Sequence, residues 1–222
     1  MSSPDCLDSM RFSDRIERFS ARLPKSKAAL AYARRLHEGQ RRAADGAPFI
    51  EHPAEVGELL YEAGATDEVI AAGLLHDVLE KTDATSYELS ARFGRRVGEI
   101  VGAVSDDDRI VEYSRRKTAL RDQVANAGDD ALAVFAADKL SKVRELRLGD
   151  GSGLNVRTRR LTNYRRSLAM LEKRLPDSPL VAALAAELDA LPGARGALDH
   201  ERKQGRAPLD PSRYRAAIRP SR

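Results

Sequence analysis

The chain has 222 residues, 42% of them hydrophobic and 32% charged, with no tryptophan and a formal net charge of +4. That length suits one domain with a full core and perhaps appendages rather than two domains, and the single cysteine, Cys6, excludes an internal disulfide framework, so a reducing, cytoplasmic setting is the default. No apolar run reaches membrane-spanning length, and the stretch Met1 to Met10 lacks the basic and hydrophobic regions of a signal peptide.

The positive charge is uneven. Residues 193–222 hold eight Lys/Arg against three Asp/Glu, and residues 1–192 hold 30 against 31, so basicity belongs to the tail. Gly193 to Arg222 is rich in Gly, Pro and Arg, with too few apolar positions for a core of its own. It is expected to be a flexible, solvated end, with an anion-binding or oligomer-contacting arm as the alternative. Specific nucleic-acid binding is not expected.

Helical periodicity runs nearly throughout. Phe12, Ile16, Phe19 and Leu23 recur at helical spacing and predict a first amphipathic helix ending at Pro24. A second helix is expected from about Ser26 to Gln40, followed by a loop over Arg41 to Ile50, where Asp45-Gly46 and Pro48 break the pattern. Pro53 at a first helical position opens a third helix through about Ala63. Thr66, with Asp67 and Glu68, opens a fourth, expected to carry His76 and Asp77. Thr85-Ser86-Tyr87-Glu88 has the spacing of a capping box and starts a short helix that Gly94 ends. Further helices are expected over Val97–Val104, Val111–Asn126, Asp129–Leu148, Val156–Leu175 and Ser178–Leu191. No alternating strand pair and no repeat is evident, so the expected fold class is all-α.

Chemistry shows first where polar residues interrupt apolar runs. His76-Asp77 sits within Ala71-Ala72-Gly73-Leu74-Leu75-His76-Asp77-Val78-Leu79-Glu80, where an unpaired charge is costly and needs compensation. His52 precedes Pro53 at a helix start, and Asp138 interrupts Phe135-Ala136-Ala137-Asp138-Lys139-Leu140. Taken singly, each reads as a helix cap or a hydrogen-bonded core residue. Taken jointly, they form a His, His-Asp, Asp set whose mixed imidazole and carboxylate donors suit a divalent ion such as Mn, Fe, Mg or Zn. Glu80 lies four residues after His76, so a continuous helix would put it one turn away on the same face. There it could take or orient the proton of a metal-activated water; the alternative is an exposed carboxylate paired along the helix.

Five segments carry a resemblance: His37-Glu38-Gly39-Gln40-Arg41-Arg42, Asp45-Gly46-Ala47-Pro48-Phe49-Ile50-Glu51-His52-Pro53, Leu74-Leu75-His76-Asp77-Val78-Leu79-Glu80-Lys81-Thr82-Asp83, Phe93-Gly94 and Ala137-Asp138-Lys139-Leu140. In order and spacing they resemble the hydrolase domain of the RelA/SpoT homologue family, within the HD-domain superfamily, and most nearly its small stand-alone alarmone hydrolases of the metazoan SpoT homologue type. The resemblance spans about residues 26–170 of a hydrolase domain taken as residues 1–192. It implies an all-α bundle, a divalent metal that is usually manganese, and removal of the 3′-pyrophosphate from guanosine tetra- or pentaphosphate. It further implies that His52, His76, Asp77 and Asp138 hold the metal, that Glu80 is the first carboxylate of a catalytic pair, and that Arg42 and Tyr164 contact the nucleotide.

Two positions depart from the family pattern. Lys81 stands where the second catalytic carboxylate is expected, and Lys142, four residues after Asp138, stands where an asparagine usually touches the nucleotide. Lysine cannot replace the acid, but as a point charge it can sit against a phosphate. Three readings follow: a hydrolase of a different phosphorylated nucleotide, such as an adenosine alarmone or NADPH; a hydrolase of guanosine 3′,5′-bis(diphosphate) that relies on Glu80, with Lys81 in an altered role; or a non-catalytic nucleotide sensor. The expected partner is a phosphorylated nucleotide, with no membrane contact; a homo-oligomer is compatible with the sequence. No recognisable synthetase or regulatory segment accompanies the motifs, so degradation alone is the expected role in the stringent response.

Overall fold

Pro24 opens a helix instead of only closing the one before it. The computed structural model describes residues 11–12, 14–15, 22–148 and 153–191. The helix expected before Pro24 lies largely outside the described residues, and the basic tail lies wholly outside them. Helix α1 runs Pro24–Leu36 with proline in its first turn, where a missing N–H costs nothing. Its remaining free N–H groups are satisfied from a distant element: Asp67 accepts from the backbone of Lys25 at 2.9 Å and of Ser26 at 2.8 Å. The helix stops before the expected Gln40 because the chain turns at 37–39, where Gly39 adopts a φ of +76°.

The loop that follows is closed by an antiparallel bridge between Arg41 and Pro48, the one β-type pairing among the described residues. Helix α2 (Glu51–Glu62) begins two residues earlier than Pro53 suggested, which places His52 inside the first turn. Helix α3 (Asp67–Leu75) is buried from Val69 through Leu75, with no solvent face over that span. The Thr85 hydroxyl accepts from the Glu88 amide at 3.2 Å and so caps α5 (Ser86–Phe93), as the capping-box spacing predicts. Gly94, at φ +95°, separates α5 from α6 (Arg95–Val104). The Glu112 side chain caps α7 (Tyr113–Ala125) by accepting from Ser114 and Arg115. The long α8 (Asp129–Leu148), α9 (Leu154–Arg174) and α10 (Pro179–Ala190) complete an all-α architecture. None of the described helices is long and apolar enough to cross a membrane.

The arrangement centres on α3, which packs against α1, α2, α6 and α8. Its approach to α2 needs Gly73: a Cβ there would stand 2.3 Å from Leu60 Cδ1 and 3.3 Å from Val56 Cγ1. That closeness brings the first turn of α2 alongside the last turn of α3. Helix α8, buried over most of its middle, packs on both α2 and α3 and carries Asp138 into the same place.

One expectation is corrected here. The helix does not continue through His76 and Asp77; α3 ends at Leu75, and a four-residue helix, α4 (Val78–Lys81), starts afresh with Asp77 as its N-cap residue. The cause is local competition for a carbonyl. In a continuous helix Gly73 O would accept from the amide of residue 77, but here it accepts from the His76 amide at 3.5 Å and from His76 Nδ1–H at 2.8 Å. The backbone tightens, and the helical register linking His76 to Glu80 is lost.

Candidate metal centre and cation-lined cavity

Three elements deliver four side chains to one point. His52 from α2 and His76 from the end of α3 have their Nε2 atoms 3.2 Å apart. Asp138 Oδ1 from α8 lies 3.2 Å from the first and 3.3 Å from the second. Asp77 Oδ2 lies 3.6 Å and 3.5 Å from the same two nitrogens. All four residues are buried.

The surroundings fix which nitrogens face inward. His52 Nδ1–H donates to Ser141 Oγ at 2.8 Å, and that hydroxyl donates to Glu55 Oε2 at 2.7 Å. His76 Nδ1–H donates to Gly73 O. In the neutral tautomers set by these bonds both Nε2 atoms are acceptors, so at 3.2 Å they do not satisfy each other. Asp77 Oδ2 is buried with no hydrogen-bond partner, and Asp138 Oδ1 faces both Nε2 atoms with the Lys142 ammonium 2.7 Å away. Four inward lone pairs, of which only the one on Asp138 Oδ1 has an ammonium beside it, fit a divalent cation: the imidazoles and carboxylates supply ligand atoms for Mn, Fe or Zn, and the remote ring nitrogens are held as ligating histidines require.

The electrostatics agree. Burial alone would lower the His76 pKa, but the Asp77 and Asp138 carboxylates outweigh it and raise the value above the usual histidine range. Both aspartates are buried, which opposes ionisation, yet His76 beside Asp77 and the lysines beside Asp138 hold them well below the ordinary carboxylate range. The field that draws a proton to the imidazole is one that draws a cation.

The metal box opens into a cavity of about 740 Å³. Among the described residues its wall includes His52 and Asp77, and then a run of cations: Arg41, Arg42, Lys81, Lys117, Lys139, Lys142 and Arg160, with Glu145 as the only other acid. Tyr113 and Tyr164 supply aromatic surface, and burial pushes the Tyr164 hydroxyl above its ordinary range, so it remains a donor. A polyanion with an aromatic or sugar portion fits such a wall.

Each residue singled out in the sequence has a definite place. Arg42 lines the cavity but is already engaged, its Nε 3.1 Å from Asp45 Oδ1 and its Nη1 3.5 Å from Glu145 Oε1. Lys81 lines it too, its ammonium 5.0 Å from the centre of the Phe49 ring. Lys142 pairs with Asp138 Oδ1 at 2.7 Å. Glu80 is different. It is exposed, does not line the cavity, and its Oε1 accepts from the Asp106 amide at 2.8 Å. The expected shared face with His76 fails because the helix breaks between them.

Sequence reasoning missed Lys117, Arg160, Tyr113, Asn163 and Glu145. A signal existed for two of them: Arg160 and Tyr164 are four apart on α9, and Asp138, Ser141, Lys142 and Glu145 form one stripe of α8. Lys117 and Tyr113 reach the cavity through the path of the loop before α7, for which the sequence offers no comparable sign.

Comparison with known proteins agrees with this geometry. The chain is 39% identical over 121 residues to the human guanosine-3′,5′-bis(diphosphate) 3′-pyrophosphohydrolase MESH1, covering 53% of this chain and 67% of that protein. It is 40% identical over 88 residues to the bifunctional (p)ppGpp synthase/hydrolase SpoT of Escherichia coli K12, covering 40% of this chain and 12% of that one. A solved structure of a metazoan orthologue of SpoT, described as hydrolysing ppGpp, superposes with a TM-score of 0.68 at 29% identity, over 74% of this chain and 94% of the other. Residues 29–148 match the family model of the HD domain, the stretch that carries His52, His76, Asp77 and Asp138, and the chain belongs to that family.

Proposed function

We propose that this chain is a manganese-dependent phosphohydrolase that removes the 3′-pyrophosphate of guanosine 3′,5′-bis(diphosphate). The observation that carries the reading is the junction of a buried box of two imidazoles and two carboxylates with a cavity whose charged wall residues are mostly cations. The names of the relatives supply the substrate. A divalent ion held by His52, His76, Asp77 and Asp138 supplies Lewis-acid polarisation and a nucleophile at neutral pH.

The chain's own residues do the rest. Ser141 and the Gly73 carbonyl keep both imidazoles in the tautomer that presents Nε2. Lys81, Lys142 and Arg42 bind phosphate oxygens and stabilise charge gathering on them, with Arg42 exchanging its contact with Asp45 or Glu145 for the substrate. Tyr164 packs on the nucleoside and donates its hydroxyl. Glu80 takes the proton of the attacking water, an assignment that rests on the family resemblance and requires its carboxylate to leave the Asp106 amide. The setting we assign is cytoplasmic.

A second reading is favoured by one observation, the presence of both Lys81 and Lys142 in the cavity wall: a different phosphorylated nucleotide, such as an adenosine alarmone or NADPH, is then the better substrate. The test is turnover by the manganese-loaded protein of guanosine and adenosine alarmones, NADPH and ordinary nucleotides, with products resolved by chromatography. Pyrophosphate release from guanosine 3′,5′-bis(diphosphate) is expected. Metal-loaded protein that binds the panel without consuming any member would instead make it a sensor.

A further inference from the structure

Lys142 stands on the same oxygen that the metal needs. Its Nζ is 2.7 Å from Asp138 Oδ1, the atom that also faces both His52 Nε2 and His76 Nε2. The other carboxylate oxygen, Oδ2, is occupied by Lys139. Lys139 has no freedom to yield: its side chain is 5% exposed and its ammonium sits 4.2 Å from the centre of the Phe135 ring. Lys142 is less enclosed, with a side chain 30% exposed and a flexible four-carbon stem that reaches the cavity.

We infer that Lys142 is a tethered cation that competes with the metal for Asp138 Oδ1, and that an anionic ligand in the cavity relieves the competition by drawing the ammonium to itself. The inference rests on the metal and phosphate reading above. Its physics is simple charge placement. An ammonium and a divalent ion on one oxygen repel each other at contact distance in a buried setting, where such terms are large. Without an anion, the ammonium has Asp138 and the nearby Asp77 for company, and leaving them for water forfeits both. A phosphate in the cavity offers a replacement counter-charge a short swing away. Metal and polyphosphate then each raise the other's affinity, by the same factor in either direction. An asparagine at position 142 would exert no such competition, so the device belongs to this chain's departure from its family.

The test is metal binding by the full chain after stripping, with free Mn²⁺ fixed by a chelator buffer so that ion held by the nucleotide is not counted. Guanosine 5′-diphosphate serves as the anionic probe. Wild type should bind Mn²⁺ weakly alone and about tenfold or more tightly with the probe, within the usual span of such couplings. Lys142→Met and Lys142→Gln should bind tightly in both conditions and show little coupling, while Lys142→Arg should retain the weak wild-type affinity. Circular dichroism checks that each variant is folded, and either neutral variant suffices. Unchanged Mn²⁺ affinity in a folded neutral variant, or no response of wild type to the probe, overturns the inference. Asp77→Ala separates the two levels: if it binds Mn²⁺ as wild type does, the metal assignment itself has failed, whatever Lys142 does.

Discussion

The two sides of the cavity are built by different means. The ligand box is held by buried side chains from α2, α8 and the junction of α3 with α4, with His52 and Asp77 each 2% exposed and each remote imidazole nitrogen tied to a fixed acceptor. Apart from the buried Lys139, the cation wall is assembled from half-buried or exposed lysines and arginines on a loop, a four-residue helix, α7, α8 and α9. Packing fixes the first to fractions of an ångström, whereas the second has long stems that adjust to what they bind. The box should therefore decide whether chemistry occurs, and the wall should decide on what. Substitutions on the two sides ought to fail in different ways.

The largest effect is expected inside the box. Asp77→Ala removes a donor with no substitute among its neighbours, so metal content and turnover should both be lost while helical content is kept. Metal analysis by mass spectrometry beside a turnover assay checks this. Full occupancy in the variant would take Asp77 out of the ligand set.

Glu80→Gln comes next and tests a residue that belongs to neither side in the structure. Glutamine keeps an oxygen that accepts from the Asp106 amide but has no basicity. Turnover should fall by about 10²- to 10⁴-fold with metal retained, if the carboxylate handles the water's proton. Unchanged turnover would limit Glu80 to holding the loop that precedes α7, through the bond it makes here.

Ser141→Ala probes the support of the box rather than the box itself. Ser141 Oγ accepts from His52 Nδ1–H and donates to Glu55, so its loss frees the imidazole to take the other tautomer. Metal affinity should drop by about 10- to 100-fold, as for other supporting groups of ligating histidines. Excess metal should restore turnover, which a direct role in the reaction would not allow.

The same contrast explains what the sequence disclosed. His76, Asp77 and Asp138 were legible because polar groups in apolar runs need partners, and α8 (Asp129–Leu148) had the boundaries its Asp and Gly signals predict. The break after Leu75 was not legible, since it arises from the His76 imidazole capturing the Gly73 carbonyl, a contact that no periodicity encodes. Lys117 was invisible for the opposite reason: a basic residue on a polar helix is ordinary, and only the fold shows that this one faces the cavity.

The smallest expected effect lies on the wall. Lys81 is exposed, its ammonium resting against the Phe49 ring at the mouth of the cavity, so water and salt screen much of its charge. Lys81→Asp restores the acid that the family pattern places there and changes the local charge by two units. Exposed charge pairs contribute about 0.2–1 kcal/mol, so the substrate ranking should shift by about fivefold or less, towards guanosine 3′,5′-bis(diphosphate) and away from the alternative nucleotides. Metal content should not change, because Lys81 touches none of the four ligands. Comparing kcat/KM for the two substrate classes at low and high salt checks the point. A shift that persists unscreened at high salt would mean that Lys81 acts from a buried position when substrate is bound, and that the cavity mouth closes over it. No change at either salt would reduce Lys81 to a solvated helix residue and leave the choice of substrate to Lys142.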